Sequence, residues 1–350
     1  MQSRSRAATA VIAAAIACAC VCLDRTAAQD GGPVSFAGKK ISVMIGFSPI
    51  GVGYDTYGRM LARHMGRHLP GNPMMVPENK PGAGSMSLAN FVFHAAPKDG
   101  TLIALIGRGV AMDRQLMGER TSAKFDATQF TWIGSLNNEV AGFFVRAGAP
   151  TTSLKEMLAG TALRIGSAGS GSDIHIFTQT MNSLLGTRFQ IIPGFPGINE
   201  ILLAMDRGEM DGVAGYSWST ARVGSADKLK SGAYKLVLQL ALNKHAELPD
   251  VPVITDLVTG AEDRKVLGLI FARQLMGRPM VAPPGLDPRV VSVLRRAFDA
   301  TVKDAEFLAE CDRIGLEIIP VAGEKIEAIV ESLSRLPAEV VARAQRIVAQ

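Results

Sequence analysis

Ile41-Ser-Val-Met-Ile-Gly-Phe-Ser-Pro-Ile-Gly-Val-Gly-Tyr-Asp55 sets the reading of the whole chain. Residues 41–47 form a continuous apolar run bounded by turn residues, the pattern of a buried parallel strand. Ser48, Pro49, Gly51 and Gly53 then break it. From Asp55, a plausible N-cap, Met60, Leu61 and Met65 recur on one face of a helix that Pro70-Gly71 stops. A strand, a Gly/Pro loop and a helix start leave a row of unpaired backbone N–H groups at one edge of a sheet, a geometry that suits an anion.

Outward from this stretch the same device recurs. A short strand over 74–77 runs into Glu78-Asn-Lys-Pro-Gly-Ala-Gly-Ser85 and a helix, and a third strand over 101–106 ends at Gly107-Arg108-Gly109. After about residue 140 a second set begins. A strand over 163–166 feeds Ser167-Ala-Gly-Ser-Gly-Ser-Asp173 and a helix over 174–185, and a strand over 189–192 feeds Pro193-Gly-Phe-Pro-Gly197. Further strands are expected at 130–136, 142–146, 211–215, 235–240, 269–271, 280–282 and 317–319. Helices are expected at 288–301 and 304–313, with one long amphipathic helix over 324–345. Two βα sets without a linker predict an α/β protein whose two domains exchange the chain, with ligands at the carboxyl ends of the strands.

The first 28 residues read as a signal peptide: Arg4 and Arg6, an Ala-rich apolar run over 7–23, and a small-residue cleavage site at Thr26-Ala27-Ala28. The expectation is an exported, periplasmic protein. Cys18, Cys20 and Cys22 lie in that segment outside a convincing lipidation box, which leaves Cys311 alone and rules out an intrachain disulfide in the mature chain. Lys and Arg outnumber Asp and Glu 37 to 32; three of the arginines and one aspartate fall within 1–28, so the remainder carries +3. With no basic run and 6% aromatics, nucleic acid is not an expected partner.

The loops carry a resemblance. Gly46-Phe-Ser-Pro-Ile-Gly-Val-Gly-Tyr-Asp55 resembles the Phe-Pro-Pro-Gly-Gly-x-x-Asp loop of the substrate-binding proteins of tripartite tricarboxylate transporters. Glu78-Asn-Lys-Pro-Gly-Ala-Gly-Ser85 is similar to that family's Glu-Asn-Arg-Pro-Gly-Ala-Gly-Gly, and Pro97-Lys-Asp-Gly-Thr-Leu102 to its Pro-Asp-Gly-Tyr-Thr-Leu. Gly166-Ser-Ala-Gly-Ser-Gly-Ser-Asp-Ile-His175 resembles its Gly-Ser-Ser-Gly-x-Gly-Ser/Thr-x-x-His. The resemblance spans nearly all of the chain from about Lys40. It implies a two-lobed periplasmic-binding-protein fold of the type II, Venus flytrap kind, each lobe a mostly parallel sheet flanked by helices. Lobe one would hold 38–142 plus 270–350, and lobe two 143–269. It further implies a monomeric receptor that closes on a small carboxylate or other organic anion and delivers it to membrane permease subunits, without catalysis, cofactor or metal. A periplasmic enzyme or a ligand sensor on the same fold are the alternatives. The chain departs from the family at Gly46, where Pro is usual, at Ile50 and Val52, and at Gly194-Phe-Pro-Gly197.

Candidate ligand residues follow from the loops. Phe47, Ser48, Gly51 and Gly53 come from the first, and Gly82, Ala83, Gly84 and Ser85 from the second, where glycines admit close approach and Ser85 offers a hydroxyl or a cap. Ser167, Ser170, Gly171, Ser172 and His175 form the densest polar cluster, with His175 expected to support the loop more than to touch ligand. Arg108 is the candidate charged grip on a carboxylate. Phe195, Tyr216 and Trp218 either wall the cleft or pack in the core. His64 and His68 share a helix face, but Met65 stands where a metalloprotease has Glu and no third ligand is evident, so no metal is expected. Neither a Gly-x-Ser-x-Gly elbow nor a Gly-x-x-x-x-Gly-Lys-Ser/Thr loop occurs.

Overall fold

The computed structural model describes residues 32–49, 53–168 and 172–349. The signal-peptide segment lies outside them. Eleven strands among these residues form two sheets. The first contains β1 (Lys40–Ile45), β2 (Met74–Asn79), β3 (Leu102–Leu105), β4 (Thr131–Ser135), β10 (Pro279–Ala282) and β11 (Val321–Ala322), ordered β11-β4-β10-β3-β1-β2. The second contains β5 (Ala141–Arg146), β6 (Arg164–Gly166), β7 (Gln190–Ile192), β8 (Gly212–Ser217) and β9 (Tyr234–Leu240), ordered β7-β6-β8-β5-β9. Helices flank both sheets, giving two α/β lobes.

The opening stretch forms its strand because Ile41, Val43 and Ile45 are wholly buried against the helix Tyr54–Met65, which returns Tyr57, Met60, Leu61 and Met65 to the same core. β3 is buried on both faces, as a central strand covered by helices must be. The polypeptide passes from the first sheet to the second between β4 and β5 and returns before β10. Where the two passages meet, Gly277 N–H donates to Asn137 O at 2.9 Å and Glu139 N–H to Gln274 O at 2.8 Å. A Cβ on Gly277 would lie 2.4 Å from Asn137 Oδ1, so only glycine allows this close approach.

Several expectations are corrected. The sheets are mixed: β1 pairs in parallel with β2 and β3, while β10 runs antiparallel to β3 and β4, and β5 antiparallel to β8 and β9. β11 likewise runs antiparallel to β4. The expected strand at 269–271 is the end of the helix Ala261–Phe271, an apolar run too short to distinguish by period. The short strand after 316 falls at Val321–Ala322 rather than 317–319. The long terminal helix is two, Gly323–Ser334 and Ala338–Ala349, because Pro337 cannot continue a helix. The first helix starts behind Gly53, and Asp55 bonds Arg59 Nε at 2.9 Å instead of capping.

Candidate functional site

A cavity of about 300 Å³ lies where the carboxyl ends of β1 and β3 face the start of the helix Asp173–Leu185 and the end of β8. Its apolar wall includes Phe47, Tyr54, Met86, Val110 and Met117; its polar wall holds Arg108, Arg273, Arg278, Asp173 and Ser217. Phe47 stacks on Tyr54 with centroids 4.0 Å apart, and the Tyr54 hydroxyl accepts from Arg108 N–H at 3.1 Å. Asn79 Nδ2 donates to Phe47 O at 2.8 Å and to Asp55 Oδ1 at 2.7 Å, fixing the entrance of the first loop to β2.

The charged centre is a triad. Arg108 Nε donates to Asp173 Oδ2 at 2.7 Å and its Nη2 lies 2.6 Å from the same oxygen. Arg273 Nη1 donates to Asp173 Oδ1 at 2.5 Å. The Arg108 and Arg273 side chains are 9% and 4% exposed, so these are ion pairs in low dielectric and not solvated surface contacts. Burial alone would raise the Asp173 carboxyl, but the two guanidinium charges outweigh it and hold it at about 2. Arg108 is held above its ordinary value against its own desolvation, chiefly by Asp173. Arg108 comes from the end of β3, Asp173 from the first turn of a second-lobe helix, and Arg273 from the short helix Ala272–Met276 on the return passage. Behind them Arg278 lies 3.4 Å from the fully buried Glu139 and over the Tyr54 and Tyr57 rings at 4.5 and 5.1 Å. Arg273 Nε, Arg278 Nε and Gln274 Oε1 are buried without a hydrogen-bond partner.

Of the residues singled out from sequence, Phe47, Ala83, Gly84 and Arg108 line this cavity. Gly82 and Gly53 adjoin it in their loops, and Ser48 is exposed. Gly51, Ser170 and Gly171 fall outside the described residues. Ser85 is fully buried, and its Oγ accepts from Gly107 N–H at 2.6 Å, tying the second loop to the end of β3. It does not act as the side-chain cap of the following helix. Ala83 and Ser85 both sit at positive φ, 47° and 76°, a local strain of about 1–3 kcal/mol each.

Ser172 caps the helix Asp173–Leu185 by accepting from His175 N–H at 3.2 Å. Ser167 is buried with its Oγ 3.2 Å from His175 Nδ1, and burial lowers the His175 pKa. Phe195 is half-buried on the second-lobe core and donates its N–H to Ser167 O at 3.2 Å. Tyr216 is buried against Phe144, with its hydroxyl 3.3 Å from Ser225 Oγ, and Trp218 Nε1 bonds Glu247 at 2.8 Å. None of these six residues lines the cavity. Tyr54, Asp173, Arg273 and Arg278 line the cavity without a sequence signal for ligand contact. In sequence Asp173 marks only a helix start, and Arg273 and Arg278 stand in a segment with no Gly-rich loop to flag them.

His64 and His68 belong to a charged seam between helices. His64 Nε2 is 2.6 Å from Glu310 and His68 Nε2 is 2.9 Å from Asp304. Although His64, Asp304 and Glu306 come within ligating range of one another, the Arg67 guanidinium pairs with all three.

The TctC family model, described as tripartite tricarboxylate transporter family receptor, matches residues 58–350. A protein of Cupriavidus necator described as UPF0065 protein in gbd 5'region is 29% identical over 270 residues, 75% of this chain and 74% of that one. Two solved structures share the fold. A TctC solute-binding protein from Polaromonas, without ligand, gives a TM-score of 0.65 at 22% identity, covering 90% of this chain and 99% of its own. MatC from Rhodopseudomonas palustris with bound malate gives 0.61 at 19% identity, covering 88% and 98%.

Proposed function

We propose a function for this chain from the family it belongs to, the tripartite tricarboxylate transporter receptors, which are solute-binding proteins and not enzymes. The chain is an extracytoplasmic receptor that captures a small organic acid between its lobes and delivers it to a membrane permease. Ligand shifts an open–closed equilibrium about the two passages between lobes. Lobe one comprises 38–142 plus 270–350 and lobe two 143–269. Support for that division comes from the two sheets, one built from strands within 40–135 and 279–322 and the other within 141–240. Residues 1–28 direct export to the periplasm; among the described residues no helix is long and apolar enough to cross a membrane.

One observation carries the reading. Buried guanidinium groups from the first lobe and the return passage converge with the start of a second-lobe helix on a cavity of small-molecule size. Malate bound to a protein of the same fold supports an organic acid as cargo. The test is thermal unfolding of the mature chain with mono-, di- and tricarboxylates. A true ligand at a hundred times its Kd stabilises by about 2.7 kcal/mol, a readily measured shift. No stabilisation by any acid in the set refutes the proposal.

A further inference from the structure

The charges around the cavity restrict which organic acid fits, an inference that rests on the receptor reading above. Arg108, Arg273 and Arg278 bring three positive charges to the lining, and Asp113 and Asp173 bring two negative ones. Glu139, wholly buried behind Arg278, supplies a third negative charge within 3.4 Å of it. The site is therefore close to neutral before any ligand arrives. Asp173 already engages both arginines nearest to it, one through each carboxylate oxygen. It occupies the kind of position that a ligand carboxylate takes in a double-arginine grip.

One donor remains for a ligand carboxylate: Arg108 Nη1 has only a long contact, 3.5 Å to Ser217 Oγ. The first ligand carboxylate already takes this near-neutral lining to a net negative charge, and a second would add a further uncompensated charge in a largely buried site, which is strongly disfavoured. Phe47, Met86, Val110 and Met117 also line the cavity and offer apolar contact to an uncharged ligand body. We propose that the receptor selects organic acids with one carboxylate and an uncharged, largely apolar remainder, and that Asp173 is the specificity-determining residue that excludes dicarboxylates.

Calorimetric titration of the mature chain with pairs that differ by one terminal carboxylate tests this: butyrate against succinate, hexanoate against adipate, benzoate against terephthalate. At least one monocarboxylate binds, and at least tenfold more tightly than its dicarboxylate partner. In Asp173→Asn, which removes one negative charge and keeps the side-chain shape, that ratio falls at least tenfold or reverses. In Arg108→Gln, which removes one positive charge, binding weakens for every acid and the bias against dicarboxylates is retained. A wild-type protein that prefers the dicarboxylate of a pair overturns the inference while leaving the receptor reading intact, as does an Asp173→Asn protein, folded by circular dichroism, with an unchanged ratio. No binding of any of the six acids overturns the inference; if tricarboxylates and hydroxy acids fail as well, the receptor reading falls with it.

Discussion

Gly46 and Ser85 are predicted to be energetically coupled, and a double-mutant cycle measures it. A Cβ built on Gly46 would lie 2.3 Å from Ser85 Cβ and 3.2 Å from Ser85 Cα, with Leu105 O at 3.4 Å. Gly46 is not among the positive-φ glycines, so Gly46→Ala costs through crowding and not backbone strain. Ser85 is wholly buried and cannot swing aside. Overpacking of this kind costs about 1–3 kcal/mol.

Ser85→Gly alone has two opposed effects. It leaves Gly107 N–H without its 2.6 Å acceptor, a loss of about 1–3 kcal/mol. It also relieves a left-handed residue at φ 76°, a gain of about 1–2 kcal/mol. The net lies between about 2 kcal/mol destabilising and about 1 kcal/mol stabilising. In the double variant the offending Cβ is gone, so most of the Gly46→Ala cost disappears and a coupling of about 1–3 kcal/mol remains. The resemblance noted in the sequence gives the pair a rationale: the family's usual Pro at one position and Gly at the other are both exchanged here. Urea unfolding of the wild type, both single variants and the double variant, followed by far-UV circular dichroism, provides the four free energies. Additivity within about 0.5 kcal/mol would refute the packing argument.

Two further predictions concern buried groups. The Asp211 side chain is 3% exposed and accepts from Arg146 Nη2 at 3.0 Å and Arg164 N–H at 2.9 Å; burial raises its pKa, but the Arg164 and Arg146 bonds outweigh that and lower it. Its folded value lies below its unfolded one, so its stabilisation is complete above about pH 4 and is lost as pH falls towards the folded value. Asp211→Asn should cost about 1–3 kcal/mol at neutral pH, since the Arg146 and Arg164 side chains left behind reach solvent, and flatten the acid limb of the stability curve; an unaltered acid limb in chemical denaturation would count against it. Cys311 is 1% exposed and burial pushes its thiol up to about 11. It should react with a thiol-specific chromogenic disulfide only after unfolding, and rapid stoichiometric reaction of the native protein would contradict this.

Features encoded locally were legible from sequence. The first strand and its helix follow from one apolar run, one Gly/Pro break and one helical stripe, all within 41–69. Phe47, Ala83, Gly84 and Arg108 were reachable because ligand sites in such sheets gather at strand ends. What escaped depends on distant partners. Arg273 acquires meaning only when the return passage brings it to Asp173, a hundred residues earlier, and Arg278 only beside Tyr54 and Glu139. Period could not separate helix from strand at 269–271, where a short apolar run serves either. The break at Pro337 was readable in principle, since proline forbids an uninterrupted helix there, but the amphipathic stripe continues on both sides of it. Ser85 shows the limit for polar groups: a hydroxyl beside a ligand loop looks the same in sequence whether it faces the ligand or the backbone of a neighbouring strand.

The place of β10 between β3 and β4 has a consequence for the order in which the chain acquires its structure. All strands of the second sheet come from the continuous span 141–240, so they can pair as soon as that span is complete. The first sheet cannot: β1, β2 and β3 remain separate from β4 until residues 279–282 are inserted between them. The lobe that begins first in sequence is thus finished last. Until then it has open strand edges, the surfaces most prone to wrong pairing. A chain cut short before residue 279 would have every strand of one lobe and an unclosable gap in the other.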